Sequence, residues 1–144
     1  QAGSRWDSPI CQTDLLATFA AILERPLPER CGEDSLSFHR AWSRTDVASP
    51  PRLPVIHHSA SGRFAIRSGK WKLVMEGTRK KEKRELYDLR DDPGEQRDVL
   101  AGNPAVEEKL LSQLIDIVMS GSTRKDVESK NDTPPWEGLI WLPR

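Results

Sequence analysis

The sequence predicts an α+β chain: a small antiparallel sheet packed by a C-terminal helix, with a further helix and a short strand ahead of it. Three observations carry this. From Phe64 to Val74 apolar residues alternate with polar ones, break at Ser68-Gly69 and alternate again, the pattern of two strands joined by a tight turn. Glu85-Leu-Tyr-Asp-Leu89 has the same period of two and can extend the sheet. Val106, Leu110, Leu111, Leu114, Ile117 and Val118 fall on one stripe of a helix.

Residues 1–9 are polar, contain Gly3 and Pro9, and read as a loop. Thr13 or Asp14 can cap a helix with apolar positions Leu15, Leu16, Phe19, Ala20, Ile22 and Leu23, stopped by Pro26 and Pro28. Those positions exceed a single stripe, so the helix needs cover on more than one side. Residues 36–54 are loop-like, and Val55-Ile56-His57-His58 is a short strand. With Ser68-Gly69 as a two-residue loop, Ile66 is expected opposite Trp71 and Arg67 opposite Lys70. One face then carries Phe64, Ile66, Trp71, Leu73 and Met75, and the other Arg63, Ala65, Arg67, Lys70 and Lys72. Thr78 to Arg84 reads as a charged hairpin tip, and Asp92-Pro93-Gly94 as a turn in which Pro presets φ. Asn103-Pro104 opens the last helix and Gly121 fits the position just past its end. Residues 122–135 read as an extended linker and Trp136 to Trp141 as a final apolar patch.

The 144 residues suffice for one modest core, and a chain 36% hydrophobic and 31% charged is globular rather than disordered. The apolar patch from Leu15 to Leu23 is too short to span a membrane, and residues 1–5 lack the apolar core of a secretory signal. Formal net charge is zero, but residues 63–84 hold nine Lys/Arg against two Glu, a balance of +7. A general nucleic-acid binder is basic overall, so no nucleic acid is expected as partner. Cys11 and Cys31, twenty apart, have no zinc-ligand spacing; a disulfide and two half-buried thiols both fit the sequence.

The string His57-His-Ser-Ala-Ser-Gly-Arg-Phe-Ala-Ile-Arg-Ser-Gly-Lys-Trp-Lys-Leu73, followed by Glu85-Leu-Tyr-Asp-Leu89 and Asp92-Pro-Gly-Glu95, resembles the C-terminal part of an arylsulfatase A-like sulfatase of the alkaline phosphatase-like superfamily. Cys11 to Leu23 and Gly32-Glu-Asp-Ser35 resemble the region just before it. The resemblance covers about residues 1–121. It implies that residues 1–58 end a large α/β domain, that 59–121 form a C-terminal sheet-plus-helix subdomain, and that 122–144 are an extended tail. For a whole enzyme it implies hydrolysis of sulfate esters by a formylglycine nucleophile aided by calcium, a sulfated small molecule or glycan as substrate, and a periplasmic or secreted location.

No Cys/Ser-x-Pro-x-Arg nucleophile motif occurs here: Cys11 is followed by Gln-Thr-Asp. Nor is there a dense Asp/Asn loop to supply the six or more oxygens calcium takes. The chain alone is therefore expected to be inactive, with no catalytic or metal residues of its own. Nucleophile and calcium would belong to polypeptide upstream, to which this chain would attach as a partner of the sulfatase domain. The candidate substrate contacts are His57 and His58, of which His58 is nearer the Ser/Gly loop that follows; an imidazolium can contact a sulfate or a sugar hydroxyl. Adjacent strand residues point to opposite faces, so only one is expected to face a given pocket. The alternative is a non-catalytic polyanion-binding module using the basic 63–84 segment. A phosphoesterase of the same superfamily would differ mainly upstream. Uncovered apolar positions on the first helix also lead to an expectation of self-association.

Overall fold

The structure is a computed structural model describing residues 6, 8–43, 52–78, 81–127, 129, 139 and 141–142. Internal contacts divide the chain into two units, residues 1–53 with 120–130, and residues 54–119 with 131–144.

In the second unit, strands β1 (Val55–His58), β2 (Phe64–Ser68), β3 (Trp71–Thr78) and β4 (Lys81–Asp88) form one antiparallel sheet in the order β1-β2-β3-β4. Val55–His58 thus adds a fourth strand to the two or three expected, pairing Ile56 with Ile66 and His57 with Ala65. The β2–β3 register differs from expectation by two residues: Ile66 faces Leu73, Arg67 faces Lys72 and Ser68 faces Trp71. The loop is therefore Gly69-Lys70. Gly69 has φ +58° and Lys70 keeps a negative φ, the pattern of a type II′ turn with Gly at its first central position. Because side chains alternate with period two, a two-residue slip leaves every residue on its expected face. The charged tip is also shorter than expected, since β3 runs on to Thr78 and β4 begins at Lys81; Arg79 and Lys80 lie outside the described residues.

One sheet face is covered by α3 (Pro104–Ser120), entered through a short 3-10 turn at Leu100–Gly102. Ile66, Leu73, Met75, Leu86, Leu110 and Leu114 form the core, with Phe64, Trp71, Val106, Leu111, Ile117, Val118 and Trp141 packed against it. The helical stripe read from the sequence is the stripe that packs. Gly121 takes φ +74° past the helix end, while the Asn103 side chain donates from its amide to the Val99 carbonyl at 2.8 Å. Trp141 meets Phe64 edge-on at 5.5 Å between ring centroids; the rest of the expected patch at 136–138 and 140 lies outside the described residues. The outer edge of β4 is occupied locally: Leu86 donates its N–H to Asp98 Oδ1 at 3.0 Å and accepts from Val99 N at 2.9 Å. Such plugging blunts an open strand edge.

In the first unit, α1 (Asp14–Ile22) turns its polar side inward. Asp14 and Thr18, one turn apart, are 1% and 0% exposed, while Leu16, Phe19, Ile22 and Leu23 are 47%, 51%, 46% and 69% exposed. Hydrogen bonding explains the inversion. Thr18 Oγ1 donates to the Asp14 carbonyl and accepts from Phe38 N, and Ala17 N donates to Ser35 Oγ at 2.9 Å. Thr13 makes no side-chain cap. Instead Asp14 reaches back to Cys11 N at 2.8 Å, receives Leu36 N at 3.0 Å, and binds Arg52 at 2.8 Å. Beyond α3 the chain returns to this unit: Thr123 donates twice to Asp34 and Arg124 N donates to the Glu33 carbonyl at 3.1 Å. A second helix, α2 (His39–Ser43), sets Trp42 edge-on to Phe38 at 5.0 Å. Cys11 and Cys31 are both half-buried free thiols. Among the described residues, no helix is long and apolar enough to cross a membrane.

Candidate functional site

The sheet face opposite α3 is the one the alternation made cationic. Directly paired residues share a face, so the ladder His57–Ala65–Val74–Glu85 and the ladder Val55–Arg67–Lys72–Tyr87 both line it. Val55, Ala65 and Tyr87 are nonetheless buried. A cleft of about 340 Å³ opens on this side, bordered among others by His57, His58, Arg63, Lys72, Tyr87 and Glu95.

Both histidines border the cleft, in different settings. His57 stands in the face itself. His58 belongs to the ladder with Phe64 and stacks on that ring at 4.4 Å between centroids, 24° from parallel. Glu95 is brought in by the turn at 92–94: Glu95 N donates to the Asp92 carbonyl at 3.2 Å, Arg97 N donates to Asp92 Oδ2 at 2.8 Å, and Glu95 itself has φ +55°. Backbone N–H groups of Gln96 and Arg97 hold the Asp92 carboxyl below its ordinary range. The turn reading of this acidic stretch thus describes its structure. Among the described residues, no three His, Cys, Asp or Glu side chains come together to hold a metal ion.

Carboxylates neutralise most of the basic segment. Arg63 pairs with Glu76 at 2.5 Å, Lys72 with Glu95 at 2.6 Å, Lys83 with Glu85 at 2.5 Å, and Arg84 with both Glu82 and Glu107. Lys70 pairs with Asp88 and also lies 4.4 Å over the Trp71 ring. Five of the nine cations are thus compensated within the chain, which disfavours a free polyanion-binding strip. Arg67 stands opposite Lys72, whose ammonium is taken by Glu95. Arg67 Nε is buried without a hydrogen-bond partner.

Partial burial, then the charges of Lys72 and Arg67, push the His57 pKa below its ordinary 6.5, with Glu95 acting weakly the other way. Burial and a hydrogen bond to Glu85 push the Tyr87 phenol up to about 12, and Lys83 holds Glu85 low. At neutral pH the cleft therefore presents His57 as a neutral imidazole, Tyr87 as a phenol and Glu85 as a carboxylate. A histidine with a depressed folded pKa binds its proton more readily in the unfolded chain. Stability is then retained above the unfolded pKa and falls as pH drops through that value toward the lower folded one. An imidazole titration by NMR is expected to place the His57 midpoint below 6.5, and replacement of Lys72 by Met to move it upward. A midpoint at or above 6.5 in the parent chain would contradict this geometry.

Sequence reading placed His57 and His58 at this site but passed over Lys72, Tyr87 and Glu95. The face alternation carried the signal for Lys72, and counting onward past the Asp-Pro-Gly turn could have suggested Glu95.

No family model matches the chain. Among curated proteins it is similar to an N-acetylgalactosamine-6-O-sulfatase of Bacteroides thetaiotaomicron, 31% identical over 119 residues that cover 74% of this chain and 23% of the relative. A solved structure described with the metabolism of multiple glycosaminoglycans by Bacteroides thetaiotaomicron is 29% identical, with a TM-score of 0.59, covering 73% of this chain and 24% of its own. The crystal structure of Ps i-CgsB in complex with k-i-k-neocarrahexaose has a TM-score of 0.66 over 97% of this chain and 30% of that one; at 22% identity this likeness is one of fold. The chain thus spans between 23% and 30% of the length of these relatives.

Proposed function

The chain belongs to the sulfatase family, and from that premise we propose that it is the C-terminal portion of a sulfuric ester hydrolase acting on a sulfated glycan or small molecule. Its part is to complete the fold and to supply one wall of the substrate cleft through His57 and His58. The observation that carries this reading is the sulfatase likeness over 74% of the chain, joined to a cleft bordered by both histidines. The nucleophile and calcium are assigned to polypeptide outside this chain. The name of one relative supports the substrate class: it is an N-acetylgalactosamine-6-O-sulfatase.

Two expected outcomes follow from the division of labour. The purified chain does not turn over an aryl sulfate, and joined to a sulfatase domain lacking this portion it restores turnover, with His57→Ala and His58→Ala raising KM more than they lower kcat. Turnover by the chain alone, or restoration insensitive to both substitutions, contradicts the reading.

The exposed residues of α1 are the surface against which the rest of a sulfatase would pack. Taken alone, the chain is expected to associate with itself there, since burying each such side chain gains roughly 1.5–3 kcal/mol and soluble monomers rarely expose large apolar patches. Light scattering over a concentration series checks this. A mass that rises with concentration, and returns to that of a monomer in Phe19→Ser/Leu23→Ser, is the expected result; a concentration-independent monomer contradicts it.

A further inference from the structure

We propose that the part of the substrate lying on the sheet face opposite α3 is an uncharged sugar unit, its ring set over Val74 and its hydroxyl groups donating to Glu85 and Glu95. This builds on the cleft reading above and names the portion of a glycan that the wall meets, with Glu95 as the residue that sets the preference.

Ala65 and Val74 are directly paired in the middle of a row that runs from His57 to Glu85, and all four border the cleft. Ala65 is buried and Val74 half-buried. The floor is therefore a small apolar spot among polar side chains. The C–H face of a sugar ring gains from such a surface, whereas an anionic group loses hydration there. A cleft of about 340 Å³ stands at the small end of ligand sites and suits a single sugar unit.

The rim offers acceptors rather than free cations. Arg63 and Lys72, the Lys and Arg side chains that border the cleft, each already hold a carboxylate, that of Glu76 and that of Glu95. Arg67 does not border the cleft, and its Nε is buried. A carboxylate has about four lone-pair positions. Glu95 gives one to Lys72, and Glu85 accepts from Lys83 and Tyr87, so both keep room for further donors. A neutral His57 adds one donor and one acceptor. Sugar hydroxyls donate, whereas a sulfate ester or an ionised carboxyl only accepts. The rim is thus complementary to hydroxyl groups.

Glu95 reaches the cleft from outside the sheet, on a residue with φ +55° just past the Asp92-Pro93-Gly94 turn. Lys72 stands two residues from Val74 on the same strand, hence on the same face. With Glu95 in place the Lys72 ammonium is engaged within the chain at 2.6 Å. Without it, the same face would carry a free ammonium beside the floor. Removal of this one carboxylate is therefore expected to turn a preference for a neutral ring into a preference for an anionic one, a reversal that a general basic surface would not show.

The experiment is an NMR titration of the full chain with the methyl glycoside of N-acetylgalactosamine and with its 6-O-sulfate, two ligands that differ by one anionic group. In the parent chain the neutral glycoside is expected to give saturable shifts at the Val74 and Ala65 methyls, unchanged as sodium chloride is raised, and the sulfated one to bind no more tightly. Val74→Ser is expected to weaken the neutral glycoside about fivefold, the order of one lost apolar contact. Glu95→Gln is expected to tighten the sulfated glycoside about tenfold through the freed Lys72, and Glu95→Gln/Lys72→Met to abolish that gain. Thermal melts establish that each variant is folded, and Glu95→Gln, outside the strands, keeps the test intact if Val74→Ser is not. A parent chain that binds the sulfated glycoside more tightly than the neutral one overturns the proposal, and leaves the cleft reading standing if that binding depends on His57 or His58. An order of preference that Glu95→Gln does not change overturns it as well. Absence of saturable shifts from either glycoside overturns both.

Discussion

Replacing Asp14 by alanine is expected to destabilise the first unit by about 3–5 kcal/mol, the range for removing one partner of a buried ion pair. Its carboxylate is 1% exposed and holds Arg52, itself 13% exposed, together with two backbone N–H groups. Arg52 Nε and Nη1 are already buried without partners, so loss of Asp14 would leave a buried guanidinium with its charge uncompensated. Asp14→Asn is expected to cost less, because an amide oxygen still accepts from one N–H. The double replacement Asp14→Leu/Arg52→Leu is expected to recover part of the loss, since an apolar pair avoids desolvating two charges. Denaturant melts following Trp6 and Trp42 fluorescence provide the measure. A loss below about 1 kcal/mol for Asp14→Ala would mean that the pair does not anchor α1.

Leu114→Ala is expected to cost about 2–5 kcal/mol, as for other buried large-to-small changes. Leu114 is fully buried and joins α3 to a sheet core of Ile66, Leu73, Met75 and Leu86. Truncation opens a cavity at the centre of that contact, which a four-stranded sheet held by one helix has little freedom to fill. Met119, on the same helix but 61% exposed, serves as the comparison, and Met119→Ala is expected to stay within about 0.5 kcal/mol. Amide exchange across β2 and β3 should accelerate in Leu114→Ala and remain unchanged in Met119→Ala. Equal effects of the two substitutions would contradict the packing.

The two longer helices, α1 and α3, differ in how far their packing can be read from sequence. In α3 the apolar stripe, the Asn103-Pro104 start and the Gly121 end agree with one another and with the packing. The sheet was legible for the same reason, because local alternation fixes which face each residue takes. The β2–β3 register was not. Two-residue loops placed at Ser68-Gly69 or at Gly69-Lys70 conserve every face, and pairing of β3 with β4 on its other side enters the choice as well. In α1 the apolar residues that the sequence marks as needing cover face out within this chain, and the side that faces in, with Asp14 and Thr18, is the one no hydrophobic pattern marks.

By itself, then, the sequence determined the α+β class, the faces of the strands, the packing stripe of α3, and the resemblance that places the chain among sulfatases. These depend on contacts between near neighbours in the chain, or on the order of residues alone. Only the tertiary structure decided that Asp14 is satisfied by Arg52, 38 residues away, that Glu95 settles on Lys72 across 23, and that Arg67 keeps a buried nitrogen without a partner. Charge pairing and desolvation act through space between segments that carry no common period, so their outcome exists only once the chain has brought those segments together.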